Sequence, residues 1–161
     1  MASTITLTEA LKLQQSIETS NFKIINHGSG LYGIAVRMKN GTGSASVLGS
    51  LVSVSQAADN VFILQNNEYD SIGVVAESGV ANGEECYVII SGVARVLFKD
   101  GESSTRGNIL LAADTDGRGY NVANPGGGLP GTDAHFKECG HVLQSVSSGT
   151  NILVYCVLHF N

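Results

Sequence analysis

The side chains best suited to chemistry are four histidines and three cysteines. His135, Cys139 and His141 fall within seven residues, and Cys86, Cys156 and His159 lie on segments that could approach them. Zinc takes such nitrogen and sulfur ligands. The spacing matches no finger, however, and no Cys-x-x-Cys pair occurs. Strand alternation puts Cys139 and His141 on one face, which keeps a shared ligand role open. Free cysteine is commonly a small buried hydrophobe. Core thiols and surface histidines are therefore the expectation, with no metal site and no cofactor.

Other motifs weigh the same way. Asp114-Thr-Asp116-Gly117-Arg-Gly119 resembles the start of a calcium loop, but its twelfth position is Pro125 where a bidentate glutamate is needed. An Asp- and Gly-rich turn is the expectation. Gly126-Gly127-Gly128 runs into Leu129 and Pro130, not the Lys-Ser/Thr pair of a phosphate loop. No Gly-x-Ser-x-Gly elbow marks a nucleophile. Glu84 and Glu85 are adjacent and would point to opposite faces of a strand, so they make no acid/base pair. No catalytic residue is assigned. A triad drawn from distant strands would leave no local motif, so a small hydrolase or metal-binding β-barrel stands as one reading.

The composition bounds the classes of function. The chain has 161 residues and a net charge of −5, and charged residues make up 14% of it. A typical soluble domain carries about 25%. Nine Lys and Arg are scattered without a basic stripe, which argues against nucleic acid as a partner. Three cysteines cannot all pair within one chain and fit a reducing compartment. No signal peptide and no membrane-spanning run is read, so synthesis in the cytoplasm is expected. A surface with few charges suits a particle component partly covered by neighbours.

The elements that would position these residues are strands. Residues 1–21 are expected to form a short N-terminal helix or arm, with Leu7, Ala10, Leu11 and Ile17 near helical spacing and Thr6 and Glu9 matching a capping box. From Phe22 the period becomes two, and residues 22–161 read as one β-rich domain. Strands are expected over Phe22–Ile25, Tyr32–Lys39, Ser50–Ser55, Asn60–Gln65, Ser71–Ala76, Glu85–Ile90, Val93–Lys99, Asn108–Ala112, Lys137–Val146 and Asn151–Phe160. In the last, Ile152, Val154, Cys156, Leu158 and Phe160 share a face. Asn40-Gly41, Asn82-Gly83, Asp100-Gly101 and Asp116-Gly117 favour type I′ hairpin turns. Tyr120–Asp133, with both prolines and the glycine triplet, reads as an exposed loop. The fold class is all-β, an antiparallel β-barrel or β-sandwich.

Two blocks carry a family resemblance. Met38–Val54 reads MKNGTGSASVLGSLVSV, an Asn-Gly-Thr-Gly turn, a small-residue stretch and a Val/Ser strand. Ser71–Val96 reads SIGVVAESGVANGEECYVIISGVARV, with Ile-Gly-Val-Val-Ala-Glu, an Asn-Gly spacer, an alternating strand and a Ser-Gly-Val-Ala turn. A weaker third block spans Gly107–Ala113 and Gly140–Leu143. This pattern resembles the capsid decoration (cement) proteins of tailed bacteriophages, and also β-rich domains of phage fibres. The resemblance runs from Met38 onward, and residues 1–37 fall outside it.

The resemblance implies a compact β-barrel or β-sandwich without catalysis. It implies a homotrimer on the virion capsid surface, with the major capsid protein as partner. The alternative it leaves is a head or tail fibre domain that binds host-surface glycans. The chain shows no heptads of a fibre stalk, which favours decoration. Lying before the matched region, Ile5, Leu7, Leu11 and Ile17 are the candidate contacts to a capsid subunit or an adjacent copy. Burying two leucines would contribute on the order of 3–6 kcal/mol before ordering costs.

Overall fold

The computed structural model describes residue 8 and residues 21–66, 70–123 and 137–160. Ten strands fill these segments: β1 (Phe22–Asn26), β2 (Tyr32–Asn40), β3 (Leu51–Val54), β4 (Val61–Leu64), β5 (Gly73–Val75), β6 (Glu85–Leu97), β7 (Ile109–Ala112), β8 (Gly119–Val122), β9 (Glu138–Val142) and β10 (Leu153–Leu158). The all-β class holds. The expected N-terminal helix or arm lies outside the described residues apart from Thr8, which is helical, and Asn21. No helix among the described residues is long and apolar enough to cross a membrane.

The strands form one sheet in the order β1-β2-β4-β3-β5-β6-β10-β9-β7-β8, with β2 also paired to β6. Strand β6 is the hub. One edge of it takes β2, and the other takes β5 at Val88 and Ile89 and then β10 from Gly92 to Leu97. The pairings β2–β4–β3–β5–β6 return to β2. A second circuit, β6–β10–β9–β7–β8, returns to β6 through a parallel bridge between Gly119 and Phe98. Short parallel contacts close both circuits. The result is a folded-over sheet and not a regular barrel. The ladders are antiparallel, with β2–β4 the parallel exception among the named strands.

Alternation along the strands divides the core in two. One cluster joins Met38, Val52, Phe62, Val75, Cys86 and Val88 within the first circuit. The larger one takes the opposite faces of the same strands, such as Ala35, Leu51, Val74 and Ile89, and packs them on Val96, Phe98, Leu110, Val154 and Cys156. The five residues expected to share a face of the last strand all reach this cluster, Ile152 and Phe160 at its margin. Each fully buried aliphatic or aromatic side chain contributes about 1.5–3 kcal/mol relative to exposure.

Several expectations are corrected. Glu85–Ile90 and Val93–Lys99 are not two strands joined by a Ser-Gly-Val-Ala turn. They run through as β6: Gly92 (φ 82°) pairs with Gly33, and the bulge opposite β2 falls at Ile90, passed over between the pairs Ile34–Ser91 and Ala35–Ile89. An extra residue there bends the strand without ending it, which lets one strand serve both circuits. Tyr120–Val122 belong to β8 and not to an exposed loop. Residues 124–136, the rest of that stretch, lie outside the described residues.

The Asn/Asp-Gly turns also differ from expectation. At Asn82-Gly83, Asp100-Gly101 and Asp116-Gly117 only the glycine has positive φ. A type I′ turn needs both central residues there, and this pattern is that of type II. Asn40-Gly41 makes no hairpin at all. Gly41 N donates to Phe62 O (2.9 Å) and prolongs the β2–β4 contact.

Asn40 instead ties two loops together. It is buried, its Nδ2 donates to Ser44 O (2.8 Å) and Val80 O (2.9 Å), and its Oδ1 accepts from Thr42 N (3.0 Å) and Thr42 Oγ1 (2.8 Å). Gly83 N donates to Asn40 O (2.6 Å), and Gly43 N to Asn82 Oδ1 (2.7 Å). The two Asn-Gly motifs thus pack on each other. Across a small cleft from Thr42 and Ser44, Arg118 donates to Phe98 O (2.9 Å), Asp100 Oδ1 (3.0 Å) and Asn151 Oδ1 (2.7 Å), clamping three loops.

Candidate functional site

Two places stand out, an apolar hairpin face and a histidine–carboxylate cluster. The hairpin comes from β1 and β2, joined through Gly28, Ser29 and Gly30, all at positive φ. Its register pairs Phe22 with Val36, Ile24 with Ile34 and Asn26 with Tyr32. Phe22, Ile24, Tyr32 and Ile34 therefore share one face, and they are 57%, 60%, 52% and 48% exposed. Farther along β2 the same face carries Val36, half-buried, and Met38, buried, against the first core cluster. The core-facing side of the sheet thus emerges uncovered at the hairpin.

The other side of the hairpin is anchored. His27 Nε2 donates to Val93 O (3.0 Å), and Arg37 pairs with Glu85 (3.1 Å) and donates to the Tyr87 hydroxyl (2.9 Å). Among the described residues, strand β1 is also an edge of the sheet. An edge strand with an apolar face is a surface suited to pairing with another chain.

The second place is the cluster Glu138, His141 and His159. Glu138 Oε1 lies 3.4 Å from Nε2 of His141 and 3.4 Å from Nε2 of His159. The two imidazole centroids are 5.0 Å apart. The Glu138 side chain is 9% exposed, and those of His141 and His159 are 36% and 44% exposed.

Strict alternation would separate Glu138 from His141. A bulge prevents this: β7 pairs Ile109 with His141, Leu110 with Gly140 and Leu111 with Glu138, passing over Cys139. The extra residue resets the alternation. Cys139 turns into the core while Glu138 and His141 come together, so the expectation that Cys139 and His141 share a face is overturned. His159 is brought in because β10 pairs Val157 with His141.

The remaining sequence candidates fall elsewhere. Cys86, Cys139 and Cys156 are free and buried. Burial pushes the Cys86 and Cys139 thiols up to about 11 and raises Cys156 as well. Asp114 pairs with Lys99 (2.6 Å), whose ammonium lowers its pKa, within the turn joining β7 to β8. The turn reading of that segment fits. Ile5, Leu7, Leu11, Ile17, His135 and Gly126–Gly128 lie outside the described residues. Two clefts, of 130 Å³ beside Ser46, Phe62 and Arg118 and of 270 Å³ beside Lys99, Asp114 and Tyr120, fall below the ~300 Å³ of small-molecule sites.

Sequence reasoning passed over Glu138 and the hairpin face. Glu138 carried no signal, because only the bulge brings it to the histidines. The hairpin did carry one. Apolar residues alternate at 22 and 24 and again at 32 and 34, around a Gly-Ser-Gly turn.

A crystal structure of the N base of head fibre gp8.5 in bacteriophage phi29 is similar in fold. The match has a TM-score of 0.50 and 17% identity, and covers 78% of this chain and 92% of that one. No protein-family model matches the chain, and neither does any curated protein sequence.

Proposed function

We propose that the chain is a non-enzymatic structural protein of a bacteriophage virion, which binds the outside of the capsid as an oligomer and stabilises it. The observation that carries this reading is the fold likeness to the N base of a phage head fibre. The family resemblance from Met38 onward supports it independently. So does the surface, short of charge and bearing an apolar edge hairpin. A cement protein works by summing modest contacts over several partners, so that avidity resists internal pressure. In this reading the hairpin face of Phe22, Ile24, Tyr32 and Ile34 meets a neighbouring copy of a homotrimer. Ile5, Leu7, Leu11 and Ile17 then reach the major capsid protein.

The likeness to a head fibre base favours a second reading, in which the chain is itself the base of a fibre on the head. Imaging of purified virions, with and without the gene, separates the two. Decoration predicts loss of density repeated over the capsid lattice and earlier DNA release on heating. A fibre base predicts loss of projecting fibres with unchanged capsid stability. Absence of the protein from purified virions would overturn both.

A further inference from the structure

We propose that Glu138, His141 and His159 form a binding site for one late first-row divalent cation per chain, with Zn²⁺ the best match to the donor set. Two imidazole nitrogens and one carboxylate oxygen are the ligands zinc takes in open, three-residue sites. The distances suit a shared ion better than a tight hydrogen-bonded pair. A charge-assisted N–H···O⁻ bond runs about 2.7–2.9 Å. Both Oε1–Nε2 distances here are 3.4 Å, too long for that bond. Two ligands held about 2.1 Å from one tetrahedral ion lie roughly 3.4 Å apart. The three ligand atoms all fall within 4.8 Å of one another, so a small movement of the exposed His159 ring closes the set.

The elements hold the donors ready. Glu138 and His141 are fixed by the β9 bulge, and His159 N donates to Cys139 O (3.1 Å), which anchors the chain beyond β10. The thiols stand apart: Cys139 belongs to the core cluster, with its Sγ 3.4 Å from Lys137 O. The site is therefore nitrogen- and oxygen-ligated, with its open position available to water or to a group on a neighbouring copy. Because the cluster sits at the surface beside a core that packs without it, the ion binds a folded chain and is not needed to fold it.

The test is calorimetric titration of ZnCl₂ into the chelator-stripped full chain, with circular dichroism confirming that each variant is folded. One Zn²⁺ per chain is expected. His159→Ala, His141→Ala and Glu138→Gln should each weaken binding at least about tenfold. His159→Ala is the most informative, since that side chain is the most exposed of the three. Cobalt substitution should give visible d–d bands without thiolate charge transfer. No zinc binding by the wild type, undiminished binding by folded His159→Ala, or a thiolate band would each overturn the proposal.

Discussion

At the scale of the residue, buried polar groups carry more weight than surface charge. Asn40 uses both amide donors and accepts twice, so its hydrogen-bonding capacity is filled. Asn40→Asp would set a carboxylate oxygen against the Ser44 and Val80 carbonyls. We expect a loss of roughly 2–4 kcal/mol in urea unfolding, because a buried acceptor facing acceptors forfeits its bonds and its hydration. The thiols give a pH prediction. Burial raises Cys86 and Cys139 from 9.0 to about 11. A group whose folded pKa is raised stabilises the fold fully below its unfolded pKa and loses that contribution as pH climbs through the folded value. The melting temperature should fall between pH 9 and 11, and Cys139→Ala should flatten that fall. An equal slope in the variant would mean that other groups dominate.

At the scale of the element, one bulge shapes the candidate metal site. Gly140 sits at φ 147°, and a Cβ there would lie 2.0 Å from Val157 O. No side chain fits without parting β9 from β10. Gly140→Ala should therefore cost about 3 kcal/mol or more in chemical denaturation. Cys139 and His141 should then show faster amide exchange than residues of β6. A variant as stable as wild type would show that the bulge tolerates a side chain.

At the scale of the whole molecule, the hairpin face is the surface that distinguishes a lone domain from a component of an assembly. Ile24 and Ile34 lie directly opposite each other and are largely exposed, so replacing them sacrifices little core packing. Ile24→Asp with Ile34→Lys should leave melting within about 1 kcal/mol of wild type. If the face joins copies in the proposed trimer, light scattering should nevertheless report trimer for the wild type and monomer for the variant. A variant that stays trimeric but fails to bind empty capsids would assign the face to the capsid instead of a sister copy. Removing residues 1–17 addresses the remaining contacts. The truncated chain should melt like the full one yet lose capsid binding if Ile5, Leu7, Leu11 and Ile17 are the anchors.

The sequence by itself determined the strand character of the chain. Period-two alternation is a local property, and it located nine of the ten strands, with the last strand's buried face correct residue by residue. What it left open was everything that depends on pairing. An alternating strand is compatible with many partners, so nothing local disclosed that β6 would run unbroken between two circuits or that β2 would meet β4 in parallel. Turn chemistry is decided by pairing for the same reason. Asn40-Gly41 has the residues of a hairpin, but the close approach of β4 holds it extended. The cluster of Glu138, His141 and His159 is the clearest case. One residue of slippage reverses which side chains share a face, and that slippage is set by how β9 seats against β7, a contact between segments far apart in the chain.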